Sequence, residues 1–297
     1  MQTLYAVEAQ EDTLKQDDPV KLLRKQFDQT SLLVLYLVYF LTEVARYAET
    51  DAKNKAAKHL PSKQDLTINT KISGNELLWI ILENPSFVQA TKLAKPELLI
   101  DNELLKKIYQ ELVSTNKYQQ YISKEGREKK DEKEMLEYIM TDLLLPNEAF
   151  TSHLEEKFIN WDDDGEMVQG LVANFIAKPQ SFSFQQIISP EKLDFALKLL
   201  ETTREKKELA LDYIRPKLKN WEPDRIALLD MLLMRMGVCE FLFFETIPPK
   251  VTINEYIDLA KEYSTQQSGQ FINGILDNIH KELVREDKMH KVAFKPS

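Results

Sequence analysis

Apolar residues recur at helical spacing along almost the whole chain, with few breakers between them. Leu23, Phe27, Thr30, Val34, Leu37, Leu41 and Val44 fall on one stripe of a long first helix. Leu104, Leu105, Ile108, Tyr109 and Leu112 form a second stripe within 101–113. Ile253, Tyr256, Ile257 and Ala260 make a third, and Phe271, Ile275 and Ile279, flanked by Ile272, Leu276 and Leu283, a fourth. Only 7 glycines occur in 297 residues, so few positions suit tight turns or bulges. Such a pattern predicts an all-α protein.

The segment 226–239 is apolar on every side, which predicts a helix at the centre of a bundle. Pro223 suits its first turn. Asp230 and Arg235 break its apolar surface, and a charge there must be paired or reach solvent. Pro248 and Pro249 end it, and Thr252 with Glu255 reads as a capping box for the next helix. Gly274 in mid-helix predicts close approach of a neighbouring backbone. Residues 50–71, with Pro61, read as a helix end and a loop, and the charge run 123–133 as a solvated linker. These breaks divide the chain into a helical N-terminal half, 1–130, and a bundle, 131–297.

An internal similarity recurs at an offset of about 60 residues. Asn160, Trp161 and Asp164 return as Asn220, Trp221 and Asp224. Ile139, Met140, Leu154, Phe158, Leu171 and Val172 align with Leu199, Leu200, Ile214, Leu218, Met231 and Leu232. Each unit reads as helix, helix, Asn-Trp turn, helix. The alternative is two amphipathic hairpins that share a turn chemistry. The middle and end of the chain are expected to pack as one continuous bundle.

Several function classes find no support. The formal charge of −9 matches nucleic acid poorly, although a local basic patch is compatible with it. A lone cysteine, Cys239, forbids an internal disulfide and suits a reducing compartment. No signal peptide is visible. The strongest apolar run, 32–41, falls short of the roughly 20 residues a membrane span needs. His59, His153, His280 and His290 have no ligand spacing, so no metal is expected. Asp162, Asp163 and Asp164 read as the acidic first turn of a helix rather than a cation site. The spacing of Gly269 and Gly274 lacks the Lys and Ser/Thr of a phosphate loop. No nucleophile, cofactor motif or catalytic constellation appears, and the expectation is a cytoplasmic protein that is not an enzyme.

Three segments, DRIALLDMLLMRMGVCEFL at 224–242, IPPKVTINEYIDLAKEYS at 247–264 and SGQFINGILD at 268–277, resemble the core of the NusB family of antitermination factors. MQTLYAVEAQ at 1–10 resembles the middle of that family's first helix. Between them lie residues that compact members lack, so the layout resembles the long, Bacteroidota-type form. The resemblance implies an all-α NusB-like helical bundle with a helical N-terminal extension. It also implies pairing with NusE, a small-subunit ribosomal protein, and binding of boxA RNA in ribosomal RNA leaders within the RNA polymerase antitermination complex. Carried over by position, the implied RNA contacts are Gln2, Tyr5, Gln267, Ser268 and Phe271, and the acid facing NusE is Asp230. Gln267 stands where some members have an acid. The family's basic arm would precede Met1, and the expectation is that the sequence is truncated there.

Each implied residue has a plainer alternative. Phe271 lies on an inward stripe and could be core, and Tyr5 could be a packing residue. Asp230 could pair with Arg225 or Arg235, and Arg235 with Glu255. A second function class also stands: a protein-only helical scaffold that binds NusE or other transcription partners without strong RNA binding.

Overall fold

The computed structural model describes residues 1–9, 18–60, 62, 69–218 and 226–292, and every regular element among them is a helix. The chain opens with α1 (Gln2–Glu8) and α2 (Pro19–Ala56) and folds into two units. Unit 1 comprises Met1–Lys25 and Ser189–Ser297, and unit 2 comprises Gln26–Ile188.

Unit 2 is built around α2. After it come α3 (Glu76–Leu82), α4 (Pro85–Ala94), α5 (Asn102–Ser114), α6 (Asn116–Ser123), α7 (Lys129–Tyr138), α8 (Glu148–Lys157) and α9 (Trp161–Ala177). The polar residues between the apolar stripes are largely helix caps. Asn75, Asn84, Asp101, Thr115 and Asn147 each accept a backbone N–H from the first turn that follows. The expected stripe of α5 is buried at all five positions. In α2 the burial is wider than one stripe: every residue from Leu33 to Val38 is buried. By length and composition α2 could cross a membrane, yet 67% of its apolar window is buried inside the protein, as in a core helix.

Residues 123–130 of the charge run are exposed, as expected, but the run ends in the first turns of α7, where Glu132 is buried. Glu132 is 1% exposed and accepts hydrogen bonds from the Tyr121 hydroxyl at 2.8 Å, the Glu76 amide at 2.7 Å and Arg127 Nη1 at 3.0 Å. Arg127 Nη2 also donates to the Lys71 carbonyl. The run thus contributes one ion pair, between partly exposed Arg127 and buried Glu132, and the 130/131 division expected from it falls inside unit 2.

Unit 1 contains α10 (Pro190–Glu205), α11 (Lys207–Ile214), α12 (Leu228–Phe243), α13 (Pro249–Tyr263) and α14 (Gln266–Arg285). Helix α12 is the axis, packing against α1, α10, α11, α13 and α14, and its residues from Leu232 to Phe241 are all buried. Pro223, Trp221 and Asp224 lie outside the described residues. Two local expectations are corrected. Helix α13 begins at Pro249, so Thr252 lies inside the helix, fully buried, and is not its cap. A proline at the first position needs no N–H partner there. Gly274 is exposed, and a Cβ there would meet nothing within 4 Å. The close approach occurs at Gly237, where a Cβ would lie 2.9 Å from both Leu276 methyl carbons.

The two segments of the internal similarity agree in helix order and in burial, while Asn220, Trp221 and Asp224 of the second lie outside the described residues. Helices α7, α8 and α9 are matched in order by α10, α11 and α12. Ile139, Met140, Leu154, Phe158 and Val172 are buried, and so are Leu199, Leu200, Ile214, Leu218 and Leu232. Leu171 and Met231 are both half-buried. The two copies do not join one continuous bundle, however: 134–176 belongs to unit 2 and 194–236 to unit 1. Each copy buries its apolar side within its own unit.

Candidate nucleic-acid interface

All three charged residues of α12, Asp230, Arg235 and Glu240, are internal, and each holds a different element. Arg235 is 1% exposed. Its Nη1 donates to Glu8 Oε1 and Oε2 at 2.8 and 2.7 Å, and its Nη2 to the Thr203 carbonyl at 3.2 Å. The partner is therefore Glu8 of α1, not Glu255. Leu4, Val7 and Thr3 are buried beside it, so α1 docks through three buried side chains and one paired charge. Asp230 is 6% exposed, and its Oδ2 accepts the Ser268 hydroxyl at 2.7 Å. That bond ties α12 to the first turn of α14.

Between these attachments lies a concavity of about 440 Å³. It is lined by Gln2 and Tyr5 of α1, Leu228 and Leu229 of α12, and Tyr263 and Ser264 of the α13–α14 junction. Gln2 is exposed, and Tyr5 keeps 44% of its surface open, so an aromatic face is presented rather than packed away. Ser264 Oγ lies 3.0 Å from Ser268 Oγ, and Thr265 caps α14 by accepting the Ser268 amide.

The structure thus brings Gln2 and Tyr5 together with the end of α13, and none of the expected contacts on α14 lines the concavity. Gln267 is exposed but does not line the concavity. Ser268 is buried as the link to Asp230, and Phe271 is partly buried against the core of unit 1. The Asp230 carboxylate faces Ser268, not solvent. Tyr263, Ser264, Leu228 and Glu8 were not anticipated. Tyr263 and Ser264 do lie within the segment 247–264, but nothing in their spacing marks them. Glu8 is 227 residues from its partner, beyond any local pattern.

A further clamp joins α12 to α13 near the other end of α12, away from the concavity. Tyr256 of α13 donates to Glu240 of α12 at 2.7 Å, and burial pushes both the phenol and the carboxyl above their ordinary pKa ranges. Among the described residues no group of three or more His, Cys, Asp or Glu is placed to hold a metal ion.

Charge is unevenly divided. Unit 2 carries 18 Lys and Arg against 25 Asp and Glu, and unit 1 carries 21 against 23. The acidity of the chain therefore belongs mostly to unit 2, and the unit with the concavity is close to neutral.

A family model described as the NusB family matches residues 159–281. The chain is 42% identical over 104 residues to the transcription antitermination protein NusB of Salinibacter ruber, covering 35% of this chain and 65% of that one. It is 39% identical over 98 residues to the protein of the same name from Chloroherpeton thalassium, covering 33% and 46% of the two chains. It is 42% identical over 87 residues to that of Methylacidiphilum infernorum, covering 29% and 61%. The chain thus spans less than two thirds of the length of each of these relatives. No solved structure matches the chain.

Proposed function

We propose that this chain, which carries a NusB-family segment at residues 159–281, is a transcription antitermination factor of the cytoplasm that binds boxA-type RNA together with NusE. The relatives bear the name transcription antitermination protein. The observation that carries the reading is the concavity of unit 1, which exposed Tyr5 and Gln2 line together with Tyr263 and Ser264, the residues just before α14. Unpaired RNA bases stack on exposed aromatic rings, each stack being worth about 1–3 kcal/mol. The N-terminus of a long helix offers N–H groups and partial positive charge to a phosphate. The near-neutral balance of unit 1 removes the electrostatic objection raised by the whole-chain charge, and RNA affinity then rests more on stacking than on counterion release. In this reading the protein positions RNA and a partner within the RNA polymerase antitermination complex and performs no bond-making step.

The test is fluorescence anisotropy with a labelled boxA-type RNA, with and without NusE, across a salt series. Tyr5→Ala is expected to weaken binding by about tenfold, consistent with one lost stack. A shallow salt slope is expected as well. Unchanged affinity for Tyr5→Ala in a folded protein overturns the proposed surface.

The acid excess of unit 2 supports a second reading, in which the chain is a protein-only scaffold for basic partners such as NusE. That reading gains if NusE binds tightly while RNA affinity stays weak in its presence.

A further inference from the structure

We infer that Asp230 is a positioning residue: from inside unit 1 it sets the α13–α14 junction through Ser268, and with it Ser264, which lines the concavity. The inference rests on the reading of that concavity as the RNA interface.

The geometry is a chain of oxygens. Asp230 Oδ2 lies 2.7 Å from Ser268 Oγ. Ser268 Oγ lies 3.0 Å from Ser264 Oγ and 2.9 Å from Thr265 Oγ1. A carboxylate only accepts, so the single Ser268 proton must point at Asp230. The Ser264 and Thr265 hydroxyls must then donate to Ser268. One buried acid therefore orders three hydroxyls at the junction, including the one that lines the concavity. Leu228 and Leu229, just before Asp230 in α12, line the same concavity as Ser264, so Asp230 joins the two elements that line it.

The arrangement is costly, which argues that it is retained for position. Asp230 Oδ1 is buried with no hydrogen-bond partner. An unsatisfied buried acceptor is rare in well-packed interiors, because its desolvation goes uncompensated. An acid serving only as a charge for a partner would gain by facing solvent.

The experiment uses the full chain with Asp230→Ala, Ser268→Ala, the double variant and Asp230→Asn. Hydrogen exchange across 263–271 without ligand reports the junction, and anisotropy with labelled boxA-type RNA reports the interface. Asp230→Ala and Ser268→Ala are each expected to speed exchange and to weaken RNA binding about tenfold, with the double variant no worse than either single. Asparagine can still accept the Ser268 hydroxyl, so Asp230→Asn should recover most of what alanine loses. Two results overturn the proposal: Asp230→Asn as impaired as Asp230→Ala, or single effects that multiply in the double variant. If Asp230→Ala fails to fold, Ser268→Ala and Asp230→Asn still decide. If the unaltered chain binds no RNA, the functional reading fails and exchange alone decides the positioning role.

Discussion

Arg235 and Glu8 form a two-oxygen ion pair across the whole length of the chain, with Arg235 Nη1 at 2.8 and 2.7 Å from the two carboxylate oxygens. The arginine side chain is 2% exposed and the glutamate 10%. Breaking such a pair strands a charge in the interior, at a cost of about 3–5 kcal/mol. Glu8→Ala should therefore lower stability by about 3 kcal/mol in urea titration, and it also removes the carboxylate that lies 3.8 Å from Lys207. Combining Glu8→Leu with Arg235→Met should recover much of the loss, since no unpaired charge remains. A double variant as unstable as Glu8→Ala would mean that the pair itself, not the stranded arginine, governs stability.

Two glycines should respond in opposite directions. Gly237→Ala forces a methyl against both Leu276 methyl carbons at 2.9 Å in a filled core, and should cost about 1–3 kcal/mol. Gly274→Ala meets open space on an exposed helical face, and should add about 0.5–1 kcal/mol through helix propensity. Thermal melts of the two variants beside the parent check both signs.

The charge run offers a further contrast. Glu132→Ala leaves Arg127, the Tyr121 hydroxyl and the Glu76 amide without their shared acceptor, and should cost about 3–5 kcal/mol. Lys130 is 81% exposed and pairs at 3.7 Å with Glu134, so Lys130→Ala should change stability by no more than about 0.5 kcal/mol. Equal effects from the two substitutions would contradict the buried role of Glu132.

His153 should make stability depend on pH. Its Nε2 lies 2.6 Å from the Tyr36 hydroxyl. Burial holds its pKa below the usual 6.5, with Lys157 adding to the shift and Asp101 opposing it. The unfolded chain thus binds this proton more readily than the folded one. The stabilisation is complete above the unfolded value and is lost as pH falls below it. Melting temperature should drop between pH 7.5 and 5.5, and less so in His153→Gln. Parallel curves for parent and variant would assign the dependence to other groups.

Much of the fold was legible before any coordinates. The stripes of α5 and α14 announced which faces are buried, because a helix repeats its environment every three or four residues. The all-round apolarity of α12 announced a central helix for the same reason. Tyr5 and Gln2 were named only through resemblance, since an exposed aromatic in a short helix has no signature of its own. Gly274 misled because a mid-helix glycine looks the same in sequence whether it meets a neighbour or open space.

By itself, the sequence determined the helical class and which stripes turn inward. These depend on neighbours within a few residues, where spacing and propensity act directly. Tertiary structure alone decided which buried charge meets which partner. It took Arg235 to Glu8 and Asp230 to Ser268, it drew Glu132 out of an apparent linker into the core, and it assigned the two copies of the repeat to different units. The physical reason is that a buried charge demands a partner without specifying where in the chain that partner lies. Packing supplies the answer only when distant helices are brought side by side.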